Sequence, residues 1–139
     1  RVAYLRLGTG IITAYPWGVG IGNQVNFAVA HGLYQKYGLI KPILFQPIHN
    51  VYLLMASEIG ILGFAAFLWF IAVLIISGIK NWKFNNKPFL VLSYCLLFTI
   101  LFFGLTDHFL WTLPQGQLML WLVVGLLLGV NHGSSKEMS

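Results

Sequence analysis

Residues 51–79, VYLLMASEIGILGFAAFLWFIAVLIISGI, hold one acidic side chain, Glu58, and no basic one in a largely apolar run. As one α-helix the run is about 43 Å long, well beyond the roughly 30 Å hydrocarbon core of a bilayer. It must tilt, or keep its first turns in the interface. Hydrophobic residues make up 58% of the chain and charged residues 8%, whereas a soluble domain carries about 25% charged residues. That is too little charge to cover a water-facing surface. Two more apolar runs follow, at 89–106 and 109–130. The expected fold is an all-α integral membrane protein. An extracytoplasmic loop with short helices (1–48) precedes three transmembrane helices (about 49–79, 88–106 and 109–130) and a cytoplasmic tail (131–139).

The net charge is +5. In a membrane chain, basic excess bears first on topology and anionic partners, and no basic run interleaved with aromatics suggests nucleic-acid binding. The linker KNWKFNNKP carries Lys80, Lys83 and Lys87 and no acid, so the positive-inside rule makes it cytoplasmic. Residues 1–50 and the turn at Asp107–Gln117 then face outward. Arg1, Arg6, Lys36 and Lys41 fall outside against that rule, spread over a long segment where it is weak. Cys95 lies inside an apolar run and has no partner for an internal disulfide. The N-terminus shows no initiating Met and no signal-peptide pattern, which suggests the C-terminal part of a larger protein.

Four features interrupt the apolar pattern. The stretch PWGVGIGN, with Pro16, Gly18, Gly20 and Gly22, stops a helical pattern over residues 1–15. No strand precedes it and no Lys-Ser/Thr follows, so a tight turn is expected rather than a phosphate loop. FAVAHGLYQKYG has the pattern of one short amphipathic helix. In LPQGQ, Pro114 and Gly116 predict a kink or re-entrant turn in the third span. Ala56, Gly60 and Gly63 give the small-residue spacing of close helix–helix packing.

The polar residues of the first span are harder to place. Asn50 is suited to N-cap the helix. Glu58 lies about 12 Å further along the helix axis, on the same face as Asn50 and away from His49. A charged carboxylate at mid-bilayer costs on the order of 3 kcal/mol, so Glu58 needs a partner, a proton or water. His49, Asn50, Asp107, His108, Gln115 and the basic residues of the loop converge on one side of the membrane. A zinc site built on His49, Asp107 and His108 is not expected, because the spacing fits no metal motif and the basic residues repel a cation.

HNVYLLMASEIGILG resembles the His-Asn, apolar helix, Glu, Gly-Ile/Leu-x-Gly signature of the O-antigen ligase and polymerase superfamily. YPWGVGIGN resembles that family's P-x-x-G-V-G-x-G-N turn, and Arg1 stands fifteen residues before Pro16, where the family commonly has an Arg. The ordered set covers residues 1 to about 65. The resemblance implies a multi-pass enzyme of the bacterial cytoplasmic membrane. Such an enzyme transfers a glycan from a polyprenyl diphosphate carrier to a hydroxyl of a glycan, lipid or protein acceptor at the outer face. It implies no metal or other cofactor, and a bundle completed by further N-terminal transmembrane helices. His49 is then the expected proton acceptor, and Arg1 the cation facing the leaving diphosphate. Arg6 is a weaker second cation. Asn50, Asp107 and His108 are expected at the substrate, and Glu58, Pro16, Gly18 and Gly20 are expected to support the site. The alternative is a multi-span transporter or accessory membrane protein that binds an anionic solute.

Overall fold

The computed structural model describes residues 1–80 and 87–136. The linker at 81–86, with Lys83, and residues 137–139 of the tail fall outside them. Among the described residues the elements are helices and turns. Helix α1 (Val2–Ala14) is followed by α2 (Gln24–Ala30), α3 (Leu33–Lys36) and a 3₁₀ turn at Pro42–Leu44. Helices α4 (Val51–Lys80), α5 (Lys87–Phe103), α6 (Phe109–Thr112) and α7 (Pro114–Lys136) complete the chain. The single helix expected over 27–38 is two helices, because Gly32 takes a left-handed conformation (φ 62°) between them.

Residues 1–48 form a small helical unit with its own apolar centre of Leu7, Ile11, Ala28, Tyr34 and Leu39. Gly8 lets α1 lie close to the segment before α4, since a Cβ there would stand 3.0 Å from Cδ1 of Ile48. A second core joins α4, α5, α6 and α7 through residues such as Leu74, Leu97, Leu110 and Leu127. Val51–Ser77 is long and apolar enough to cross a membrane, and shorter apolar stretches, Pro88–Phe103 and Pro114–Gly129, lie in α5 and α7. Many of their outward side chains are large, apolar and exposed, among them Trp69, Phe98 and Leu122.

Helix α4 is not one straight rod. At Gly60 the backbone leaves the helical region (φ 75°, ψ 175°), a conformation essentially confined to glycine. Residues 51–59 and 61–80 are therefore two helical segments. The rings of Tyr52 and Phe64 lie 6.4 Å apart, whereas a straight helix would separate residues twelve apart by about 18 Å along its axis. The bend is thus sharp. The expectation that Gly60 serves helix–helix packing is corrected here, because its neighbour is the backbone of Pro16 and Trp17. The depth inferred for Glu58 changes for the same reason: its distance from Asn50 runs along the first segment, not along the span.

The last helix is interrupted as Pro114 suggested. Leu113 is extended (φ −106°, ψ 132°) between α6 and α7. Pro114 opens α7, where its missing N–H leaves no bond unmade. Gly116 admits the close approach of α6, since a Cβ there would stand 2.8 Å from Cα of Leu110.

Candidate functional site

The glycine turn closes on the break in α4. The freed backbone groups around Gly60 find partners in residues 16–20. The amide of Ile61 donates to the carbonyl of Pro16 (2.9 Å). The amides of Val19 and Gly20 donate to the carbonyls of Ser57 (2.9 Å) and Glu58 (3.0 Å). Gly18, Gly20 and Gly22 all have positive φ (87°, 101° and 71°), which is why the turn needs glycine. A Cβ on Gly18 would run into the Glu58 carbonyl. Pro16, Gly18 and Gly20 thus hold the loop against the first segment of α4.

Glu58 completes this junction. Its side chain is buried, and both oxygens accept hydrogen bonds from neutral N–H groups. Oε2 accepts from the amide of Gly22 (2.9 Å) and from Nε1 of Trp111 (2.6 Å). Oε1 accepts from the amide of Gln24 (3.3 Å). The carboxylate therefore ties together the turn, α4 and α6. Its partners lie within this chain rather than in further helices. Gln24 is itself fully buried beneath the turn.

The histidines meet at the other end of the first segment. Asn50 caps it, with Oδ1 accepting from the amide of Leu53 (3.0 Å). Its Nδ2 donates to the carbonyl of Leu105 (3.1 Å), while the amide of Val51 donates to the carbonyl of Gly104 (2.8 Å). These bonds fasten the start of α4 to the end of α5. His49 stands just before the cap. Its ring lies 5.1 Å from the ring of Tyr4 and 5.2 Å, edge to face, from the ring of His108. Its buried Nδ1 makes no hydrogen bond among the described residues, so packing holds the ring in place. A cavity of about 240 Å³ opens here, lined by Arg1, Tyr4, His49, Asn50 and Thr106 among others.

The structure brings Arg1, His49 and Asn50 to one cavity and sets His108 against His49. Arg6 and Gln115 are exposed and do not line that cavity. Asp107 braces the turn before α6 instead, its Oδ1 accepting from the amides of His108 (2.6 Å) and Phe109 (3.0 Å). Nδ1 of His108 lies 2.7 Å from the hydroxyl of Thr112. Burial pushes the His108 imidazole below its ordinary pKa, Asp107 opposes that shift, and His49 adds to it. Burial raises the Tyr4 phenol, which remains a neutral donor to the carbonyl of Leu44 (2.7 Å).

Two participants were not anticipated. Tyr4 lies one turn after Arg1 on α1, so helical spacing from Arg1 could have pointed to it. Trp111 carried no signal of its own, since nothing in the sequence pairs it with Glu58. Among the described residues no three His, Cys, Asp or Glu side chains gather as a metal-ligand set. No protein-family model, curated protein or solved structure matches the chain.

Proposed function

We propose that this chain belongs to a multi-span transferase of the O-antigen ligase and polymerase type. It moves a glycan from a polyprenyl diphosphate to an acceptor hydroxyl at the outer face of the bacterial cytoplasmic membrane. One observation carries this reading: Arg1 and His49, far apart along the chain, line a single cavity beside the start of α4. The exposed apolar faces of α5 and α7, which share a core with α4, support their reading as second and third spans.

The chemistry follows from the side chains. The acceptor oxygen attacks the anomeric carbon, and the bond from that carbon to the carrier diphosphate breaks. The bonding pair leaves with the diphosphate, and Arg1 offsets the growing charge. The hydroxyl proton passes to His49, the general base. Tyr4 and His108 hold the His49 ring, and Asn50 fixes the end of the helix behind it.

The test uses the full-length protein reconstituted with a polyprenyl diphosphate-linked glycan. His49→Ala is expected to lower transfer by about 10²- to 10⁴-fold, the usual contribution of a general base, with membrane insertion unchanged. Arg1→Ala should lower it as well. Transfer at the full rate in His49→Ala overturns the assignment, and anion flux without any transfer points to the transporter.

A further inference from the structure

We infer that the glycine turn at residues 15–22 is an anchor in the headgroup layer of the bilayer, with Trp17 and Ile21 inserted where the second segment of α4 enters hydrocarbon. This inference rests on α4 spanning the membrane and is independent of any transfer reaction.

The surroundings of α4 change at Gly60. Before it, residues 51–60 are buried or half-buried against the loop unit and α6. After it, large apolar side chains face outward at once, with Ile61 49% and Leu62 67% exposed. The covering changes from protein to apolar solvent within one residue. Segment 61–80 is about 30 Å long at 1.5 Å per residue, the thickness of one hydrocarbon core. The whole run at 51–79 exceeds one hydrocarbon core, but the part beyond the break fits one.

The turn is bonded to that boundary. The carbonyl of Pro16 accepts from the amide of Ile61, and Val19 and Gly20 donate to Ser57 and Glu58. Backbone groups freed where α4 enters hydrocarbon require such bonding, since lipid tails offer no partner. Trp17 and Ile21 are nevertheless 79% and 75% exposed. Trp17 directly follows the residue bonded to Ile61, and its backbone lies against Gly60, where the apolar belt of α4 begins. Tryptophan favours this level of a membrane, with its rings among the headgroups. Water would not favour both side chains beside such a belt, and a bilayer interface accommodates them.

The experiment places a single fluorophore on a cysteine in full-length protein carrying Cys95→Ser, reconstituted in phosphatidylcholine–phosphatidylglycerol vesicles. Labels at Trp17→Cys and Ile21→Cys are compared with one at Leu68→Cys, using lipids that carry quenchers at shallow or deep positions, and aqueous iodide. Labels at 17 and 21 should lose most of their emission to the shallow quencher and little to the deep one. The label at 68 should show the reverse. Strong iodide quenching at 17 and 21 without lipid quenching overturns the anchor while leaving the span intact. Protection from every quencher also overturns it, because protein then covers the turn. Absence of deep quenching at 68 removes the span itself, and the anchor with it.

Discussion

Glu58 accepts hydrogen bonds from three N–H donors and donates none, an arrangement that an amide cannot reproduce. In Glu58→Gln the new NH₂ group must face at least one of those donors. We expect a loss of about 1–3 kcal/mol, the usual penalty for a buried polar group left unmatched. It should appear as a lower unfolding temperature in detergent, with Trp111→Phe falling between variant and parent. An unchanged unfolding temperature in Glu58→Gln would remove the carboxylate from its place at the junction. His108 makes a second prediction. Its pKa in the folded chain lies below the ordinary 6.5 because it is buried, with Asp107 opposing and His49 reinforcing the shift. The unfolded chain takes up this proton near pH 6.5 and the folded chain does not. The stability tied to His108 is therefore complete above that pH and declines as pH falls toward the folded value. Unfolding temperatures followed between about pH 8 and 5 should fall less steeply in His108→Gln; identical slopes would exclude the effect. At this scale the sequence marked the unusual polar groups more readily than their partners. His49, Asn50 and Glu58 stand out because polar side chains are costly beside an apolar run. Trp111 and Tyr4 are ordinary in such a chain, and only the fold reveals what they touch.

Among the elements, the glycines separate conformation from space. Gly60 combines a glycine-only backbone with Trp17, whose carbonyl carbon would lie 2.5 Å from an added Cβ. Gly18 combines positive φ with a clash at the Glu58 carbonyl. Gly22 has positive φ but nothing within 4 Å. Gly22→Ala should therefore cost only the backbone term, about 1–2 kcal/mol. Gly18→Ala and Gly60→Ala should cost more, because the turn must also lift away from α4. Proteolysis at residues 15–24 reads that lifting directly. Faster cleavage in Gly60→Ala than in Gly22→Ala is expected, and equal rates would refute the docking of turn on break. Helix existence followed closely from apolar periodicity and from Pro114, Asn50 and the glycine turn. The break in α4 did not, because Gly60 sits in a run with no proline or polar cluster and matches a helix-packing spacing equally well. What decides between those roles is the partner, a turn more than forty residues upstream.

For the whole molecule, a small helical loop unit is fastened at two points to helices whose outward faces are apolar. The Glu58 junction holds one end of the first α4 segment, and the Asn50 cap with Gly104 and Leu105 holds the other. The all-helical, strongly apolar character was legible from composition and pattern, with 8% charged residues and one helix long and apolar enough to cross a membrane. The number of spans was less so, because the apolar stretches of α5 and α7, Pro88–Phe103 and Pro114–Gly129, are short and their lengths alone do not compel a crossing. Orientation can be tested through the ends of α5. This helix is 17 residues long, about 26 Å, enough to carry the chain across a thin core when Pro88 and Gly104 lie near its faces. Thr106, beside the histidine cavity, should then lie outside, on the side of Ile43 in the loop. Lys83, in the lysine-bearing linker, should lie inside, where the positive-inside rule puts it. In a Cys95→Ser background, cysteines at Thr106 and Ile43 should react with a membrane-impermeant maleimide on intact spheroplasts. A cysteine at Lys83 should react only after permeabilisation. Labelling of Thr106 and Lys83 from the same side would mean that α5 lies along the membrane instead of crossing it. The cavity of Arg1 and His49 would then lose its fixed relation to the outer face.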